Sequence, residues 1–171
     1  YIGGLSWQKG VHVALEAFAR LPAPAEFLLA GDLEADPAYS AELQALATPG
    51  VSFLGKLDRE AIWDLLAGVD VVVVPSLWYE SFVFVISEAF AMGVPVIASD
   101  LGVLADRVRH DVDGLLIPAG DVNAWQQALA RLQQDSVLRE RLRQGIRPVR
   151  SFSDHAAEIQ SIYQQIAPAL P

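Results

Sequence analysis

Four consecutive valines, Val71-Val72-Val73-Val74, run into Pro75 and set the tightest limit on what this chain can fold into. A run of β-branched apolar residues without polar alternation reads as a strand buried on both faces, and such strands belong to parallel sheets covered by helices on each side. Trp78-Tyr79-Glu80-Ser81-Phe82 follows, then a segment over 82–92 that reads as a helix, then a second apolar strand over 94–98. This unit puts Glu80 in the loop at the carboxyl end of the valine strand and Glu88 inside the next helix. Open parallel sheets hold their ligands at that edge.

The same alternation runs along the whole chain. A strand ends near Gly3 and leads into a helix bearing Val11, Leu15 and Phe18 at helical spacing, which Pro22 and Pro24 close. Strands are predicted over 26–30 and 51–54, with helices over 37–47 and 59–68, the second capped by Asp58. After 98 come a short helix over 103–108, a strand over 114–117, a helix from Asp121 to 132, and two more helices over 136–146 and 153–166. Six short strands with helical crossovers define the expected class: α/β, a doubly wound parallel, Rossmann-like sheet with helices on both faces. One domain over 1–171 is expected. Tyr1-Ile2-Gly3-Gly4 reads as the end of a strand with no starting methionine, so the chain is expected to be a fragment of a longer protein.

Composition narrows the function classes. With 171 residues, 53% of them hydrophobic, the chain can bury its own core. Its net charge of −9, spread through helices and loops, argues against a nucleic-acid partner, so any bound anion must be held by local groups. There is no cysteine, and His12, His110 and His155 lack ligand spacing, so no protein metal site is expected. No segment reads as a membrane span or a signal peptide, and the chain reads as cytosolic, with peripheral membrane attachment left open for the full-length protein.

The loops after the strands should share one crevice, bringing Lys9, Asp32, Lys56, Glu80 and Asp100 to a common edge. A helix beginning near Phe82 would present the unpartnered amides of Phe82, Val83 and Phe84 there, and free amides at a helix start make an anion site suited to phosphate. Lys9 lies where it can meet the same anion, and Gly10 lets the backbone come close. Plainer readings stand beside these. Lys9 could be a solvated surface lysine, Ser81 a helix cap, Asp32 and Asp100 turn residues, Trp78 and Tyr79 a packed loop, and His12 a helix-surface residue. Glu88, among Val85, Ile86, Ala89, Phe90 and Met92, is expected to need a partner, which a ligand hydroxyl could supply. The last helix, with Ile159, Ile162, Tyr163 and Ile166 on one face, is expected to pack on its own sheet.

Taken in order, these segments resemble the carboxyl-terminal, donor-binding domain of retaining glycosyltransferases of family 4, which pair two Rossmann-like domains in the GT-B architecture. The resemblance covers nearly the whole chain. It rests on Tyr1-Ile2-Gly3-Gly4-Leu5-Ser6-Trp7-Gln8-Lys9-Gly10, Leu28-Leu29-Ala30-Gly31-Asp32, Val51-Ser52-Phe53-Leu54-Gly55-Lys56-Leu57, and Glu80-Ser81-Phe82 through Glu88-Ala89. Gly93-Val94-Pro95-Val96-Ile97-Ala98-Ser99-Asp100 and Asp113-Gly114-Leu115-Leu116-Ile117-Pro118 extend it. The two glutamates separated by seven residues are its most specific element.

The resemblance implies a nucleotide-diphosphate sugar as donor substrate, no cofactor, no metal, and a carbohydrate or lipid-linked acceptor, as in the building of a polysaccharide or glycoconjugate. Lys9 and the amides of Phe82, Val83 and Phe84 would hold the diphosphate. Glu80, with Ser81 beside it, would meet the transferred sugar, Glu88 the ribose, and Leu57 with Lys56 the base. Lys9 and Glu80 are the implied catalytic residues. The acceptor would bind mainly on an amino-terminal domain absent from this chain, so the fragment alone is expected to bind donor without catalysing transfer.

Three departures from the family pattern stand out. Gly4 occupies a position where many members carry an arginine on the diphosphate, Val83 one where glycine is common, and Gly102-Val103 with Asp106 replaces a more usual Gly-Gly and Glu. Two other functions fit the same architecture: a nucleotide-sugar epimerase, and a non-catalytic domain that binds a nucleotide or a protein.

Overall fold

The computed structural model describes residues 1–22 and 24–167, so positions 23 and 168–171 of the expected domain lie outside the described residues. The chain forms α1 (Val11–Phe18), β1 (Phe27–Ala30), α2 (Pro37–Leu46), β2 (Val51–Gly55), α3 (Arg59–Ala67) and β3 (Val72–Val74). It continues with α4 (Phe84–Ala91), β4 (Val96–Ser99), α5 (Val103–Arg107), β5 (Gly114–Ile117), α6 (Val122–Gln134), α7 (Ser136–Gly145) and α8 (Phe152–Ile166). Asp58 accepts a hydrogen bond from Ala61 N at the head of α3, and Asp121 from Asn123 N and Ala124 N at the head of α6, the capping chemistry that Asp supplies.

All strand pairings are parallel, in the orders β2-β1 and β3-β4-β5. The first of the six expected strands is represented by a single parallel bridge, Ile2 to Ala30, on the β1 edge that faces away from β2. The valine run serves two cores at once. Val73 joins Ile97, Leu115 and Ile117 in the cluster with Val11, Leu15 and Phe18 of α1 and Trp125 and Leu129 of α6. Val72 and Val74 turn the other way, into a cluster with Ile86 and Ala89 of α4 and Leu104 of α5. Apolar residues on both faces of a strand only make sense with helices on both sides of the sheet, which is the doubly wound arrangement.

Two expectations need correction. α4 begins at Phe84 rather than near Phe82, because Val83 at the cap position is extended (φ −111°, ψ 94°), a conformation that suits a β-branched residue. Ser81 is therefore not the helix cap. α8 has no buried residue, so its apolar stripe does not pack on the sheet. Its amino end is instead stabilised by a capping box between Ser151 and Asp154. Helical periodicity shows that a face is apolar and says nothing of what covers it. Among the described residues no helix is long and apolar enough to cross a membrane.

Candidate donor-binding site

The loop before α1 is anchored to the end of β3. Residues Trp7–Lys9 form a single 3-10 turn, the carbonyl of Gln8 accepts the Leu77 N–H at 2.8 Å, and Gly10 (φ +66°) lies so close to Pro75 that a Cβ there would sit 2.0 Å from its carbonyl oxygen. Glycine is required at this position both for the left-handed backbone and for the approach. The consequence is that Lys9 reaches the loop after β3.

There the Lys9 ammonium donates to both carboxylate oxygens of Glu80, at 2.8 and 2.9 Å, and lies 5.7 Å from the centre of the Trp78 ring. The Ser76 hydroxyl donates to the same carboxylate at 2.7 Å. Burial pushes the Glu80 carboxyl up, but the hydrogen bonds from Lys9, Ser76 and Trp78 and the charge of Lys9 outweigh it, and its pKa falls below the usual carboxylate value. The pair is largely inside the protein, with Glu80 9% exposed and Lys9 30%.

A cavity of about 260 Å³ opens beside this pair, walled by the Gly3-Gly4 backbone, Lys9, Ser76, Glu80, residues 82–85 and Glu88. The Tyr1 hydroxyl donates to Gly4 O at 2.6 Å and so holds the glycine turn in place. Val83 provides no side-chain cap for α4, which leaves the first-turn amides of Phe84 and Val85 without intrahelical acceptors at the cavity wall. These amides, the positive end of α4 and Lys9 make the cavity receptive to an anion. Glu88, half-buried at the cavity wall, has no hydrogen bond or ion pair among the described residues. Its helix is also less enclosed than its sequence suggests, since only Ile86 and Ala89 are buried.

Six of the eight sequence-predicted site residues thus meet in one cavity: Lys9, Glu80, Phe82, Val83, Phe84 and Glu88. Ser81 is exposed, and Leu57, half-buried beyond β2, does not line the cavity. Asp32 and Lys56 pair with each other at 4.0 Å on an exposed rim, and Asp100 is exposed outside the cavity. His12 belongs to a packing cluster, stacked on Trp7 with its Nδ1 2.8 Å from the Tyr39 hydroxyl; burial holds its pKa below the usual histidine value. Trp78 and Tyr79 are exposed rather than packed.

Sequence reasoning missed two residues. Ser76 is almost fully buried beneath Glu80, and its signal was a small hydroxyl directly after Pro75 at the end of a buried strand. Arg107 of α5 places its guanidinium 4.2 Å from the centre of the Phe82 ring and hydrogen-bonds Ser87, a cross-link between elements that leaves no local pattern. Phe82 in turn meets Phe84 edge-on at 4.8 Å, so two aromatic rings stand at the mouth of the cavity.

A parallel α/β domain with helices on both faces, whose cleft gathers Lys9 and Glu80 from loops and Glu88 from α4, is Rossmann-like. The sequence profile of the glycosyl transferases group 1 family matches residues 1–135, and the chain belongs to that family. Among curated relatives, the D-inositol 3-phosphate glycosyltransferase of Xylanimonas cellulosilytica is 32% identical over an alignment covering 100% of this chain and 43% of the relative. Sucrose-phosphate synthase from Thermosynechococcus elongatus superposes with a TM-score of 0.84 at 31% identity, over 99% of this chain and 45% of that one. Anabaena HepE in complex with UDP and glucose superposes with a TM-score of 0.78 at 28% identity, over 98% of this chain and 46% of that one. The chain therefore spans under half the length of these proteins.

Proposed function

We propose that this domain is the donor-binding half of a retaining glycosyltransferase, taking a nucleotide-diphosphate sugar and passing the sugar to a carbohydrate or lipid-linked acceptor held mainly by an amino-terminal domain. The observation that carries this reading is the Lys9–Glu80 pair at the wall of a cavity shared with the α4 amides and with Glu88, which has no partner among the described residues. The diphosphate lies against Lys9 and the Phe84 and Val85 amides. Glu80 meets hydroxyls of the transferred sugar, and Glu88 takes the ribose hydroxyls.

In this reading the acceptor hydroxyl bonds to the anomeric carbon on the face from which the nucleoside diphosphate departs, and the hydroxyl proton leaves with the diphosphate. The departing diphosphate gathers negative charge, which Lys9 and the helix amides offset without a metal or a cofactor. Glu80 keeps Lys9 in a fixed position before the donor arrives, so little reorganisation is needed as that charge develops. Family membership and the likeness to a structure containing UDP and glucose support transfer over epimerisation or a purely binding role. The proposed location is cytoplasmic, with the full-length enzyme at a membrane surface when its acceptor is lipid-linked.

Calorimetric titration with UDP, GDP, ADP and their sugar conjugates tests the reading. One nucleotide should bind saturably, and Lys9→Ala and Glu88→Gln should each weaken it. Saturable binding that neither substitution changes would place the ligand elsewhere and sink the assignment.

A further inference from the structure

Arg107 stands at the carboxyl end of α5, and its guanidinium makes two contacts, both with the segment that begins α4. It lies 4.2 Å from the centre of the ring of Phe82, which stands before the first helical residue Phe84, and it donates to the hydroxyl of Ser87 inside the helix. The two contacts thus span Val83, Phe84 and Val85, the cap residue and the two free amides at the cavity wall. The Phe82 ring also meets Phe84, so guanidinium, Phe82 and Phe84 form one chain of contacts. The arginine reaches this segment from a fixed frame, because Leu104 and Val108 beside it are packed with Ile86 and Ala89 in the second core.

Helix stability does not account for a cation in this place. The amino end of α4 carries the positive end of the helix dipole, where an acidic or neutral group is favoured, and its first turn holds no acidic residue. No carboxylate pairs with Arg107 among the described residues, and burial pushes its pKa down. What the contacts do supply is a hold on a helix start that has no side-chain cap. Such a start frays, and its free amides lose their direction unless another element fixes the chain on both sides of the cap.

We propose that Arg107 is a positioning residue for the donor anion: acting through Phe82, it holds the extended cap of α4 so that the Phe84 and Val85 amides face the cavity. The inference rests on the reading of that cavity as the diphosphate seat. Arg107 does not itself line the cavity, so it acts on the anion through the backbone that it holds. The planar face and the fork of donors are both used, one on the ring and one on the hydroxyl, and a lysine offers neither.

Calorimetric titration of the full-length protein with inorganic pyrophosphate tests this, using Arg107→Met, Phe82→Leu, the double variant, Arg107→Lys and Lys9→Ala, with urea denaturation run beside it. Arg107→Met and Phe82→Leu should each weaken pyrophosphate binding by about tenfold, and the double variant should lose no more than either alone, since both break one contact. Arg107→Lys should not restore the affinity. If Lys9→Ala weakens binding while Arg107→Met lowers only the urea midpoint, the diphosphate reading stands and the proposal is overturned, Arg107 serving the fold alone. Losses that add in the double variant, or full affinity with Arg107→Lys, also overturn it, because the charge of Arg107 would then act on the anion without Phe82. Binding that is indifferent to Lys9→Ala overturns the reading of the seat and this proposal together. Should Arg107→Met not fold, Phe82→Leu decides alone, since Phe82 is half exposed and keeps its backbone amide; undiminished affinity there overturns the proposal.

Discussion

Lys9 and Glu80, 71 positions apart in the chain, form a two-point ion pair in which one ammonium contacts both carboxylate oxygens at 2.8 and 2.9 Å. The contact joins the loop after the first strand segment to the loop after β3. It makes the cation of the anion cavity part of the fold before any ligand binds.

Lys9→Ala should therefore act twice. It removes a charge-assisted contact to the diphosphate, worth about 1.5 to 3 kcal/mol, which is roughly one to two powers of ten in nucleotide affinity. It also leaves Glu80 with only its Ser76 and Trp78 contacts inside the protein, and stability should fall by about 1 to 3 kcal/mol. Titration calorimetry and urea denaturation read the two effects separately. An unchanged affinity would show that Lys9 serves the fold alone.

The lowered Glu80 pKa gives a pH signature with a defined sign. A carboxyl whose folded pKa lies below the ordinary value of 4.5 adds stability that is fully present above 4.5 and is lost as pH falls through the folded pKa. The stability difference between the protein and Glu80→Gln, followed by urea denaturation, should be constant near neutral pH and shrink once pH drops below 4.5. A difference independent of pH would mean that the pair does not depend on the carboxylate charge.

Gly4→Arg tests the most conspicuous departure from the family pattern. A Cβ at Gly4 meets nothing within 4 Å, so a side chain can start from the cavity wall there without a clash at its first atom. The added guanidinium should tighten nucleoside diphosphate binding by roughly 10- to 100-fold through a charge-assisted hydrogen bond. No gain would argue that the diphosphate does not lie beside Gly4.

Glu88→Gln should separate ribose from phosphate recognition. The carboxylate has no hydrogen-bond or ion-pair partner among the described residues, so stability should change by no more than about 0.5 kcal/mol. Nucleoside diphosphate affinity should fall by about tenfold or more, the cost of a lost charged acceptor, while inorganic pyrophosphate affinity stays the same. Equal loss for both ligands would place Glu88 at the phosphates.

Gly10→Ala should damage fold and site together. Its Cβ would sit 2.0 Å from the Pro75 carbonyl oxygen in a backbone at φ +66°, so the loop bearing Lys9 must move. A stability loss of at least about 2 kcal/mol is expected in thermal or urea denaturation. A neutral outcome would show that the loop can shift away from β3 at little cost.

The alternation of strands and helices was legible in the sequence, because burial on two faces demands unbroken apolar runs and burial on one face of a helix demands a 3.6-residue period. Val71-Val72-Val73-Val74 supplied the first signal, and Val11, Leu15 and Phe18 the second. The start of α4 was misplaced by two residues, since Ser81 carries a capping side chain while the backbone of Val83 decides where the turn begins. The candidate site was legible in part. Lys9, Glu80 and Glu88 sit at positions that topology brings to one edge, whereas Ser76 and Arg107 act through contacts between elements that no spacing along the chain encodes.

The sequence by itself determined the class of fold, the edge at which the loops gather and the residue types gathered there, because these depend on local periodicity and on the handedness of crossovers. Only the tertiary structure decided that Lys9 is paired with Glu80 while Glu88 has no partner among the described residues, and that α8 has no buried residue. Those are relations between segments far apart in the chain, and their energies depend on distance and burial in three dimensions.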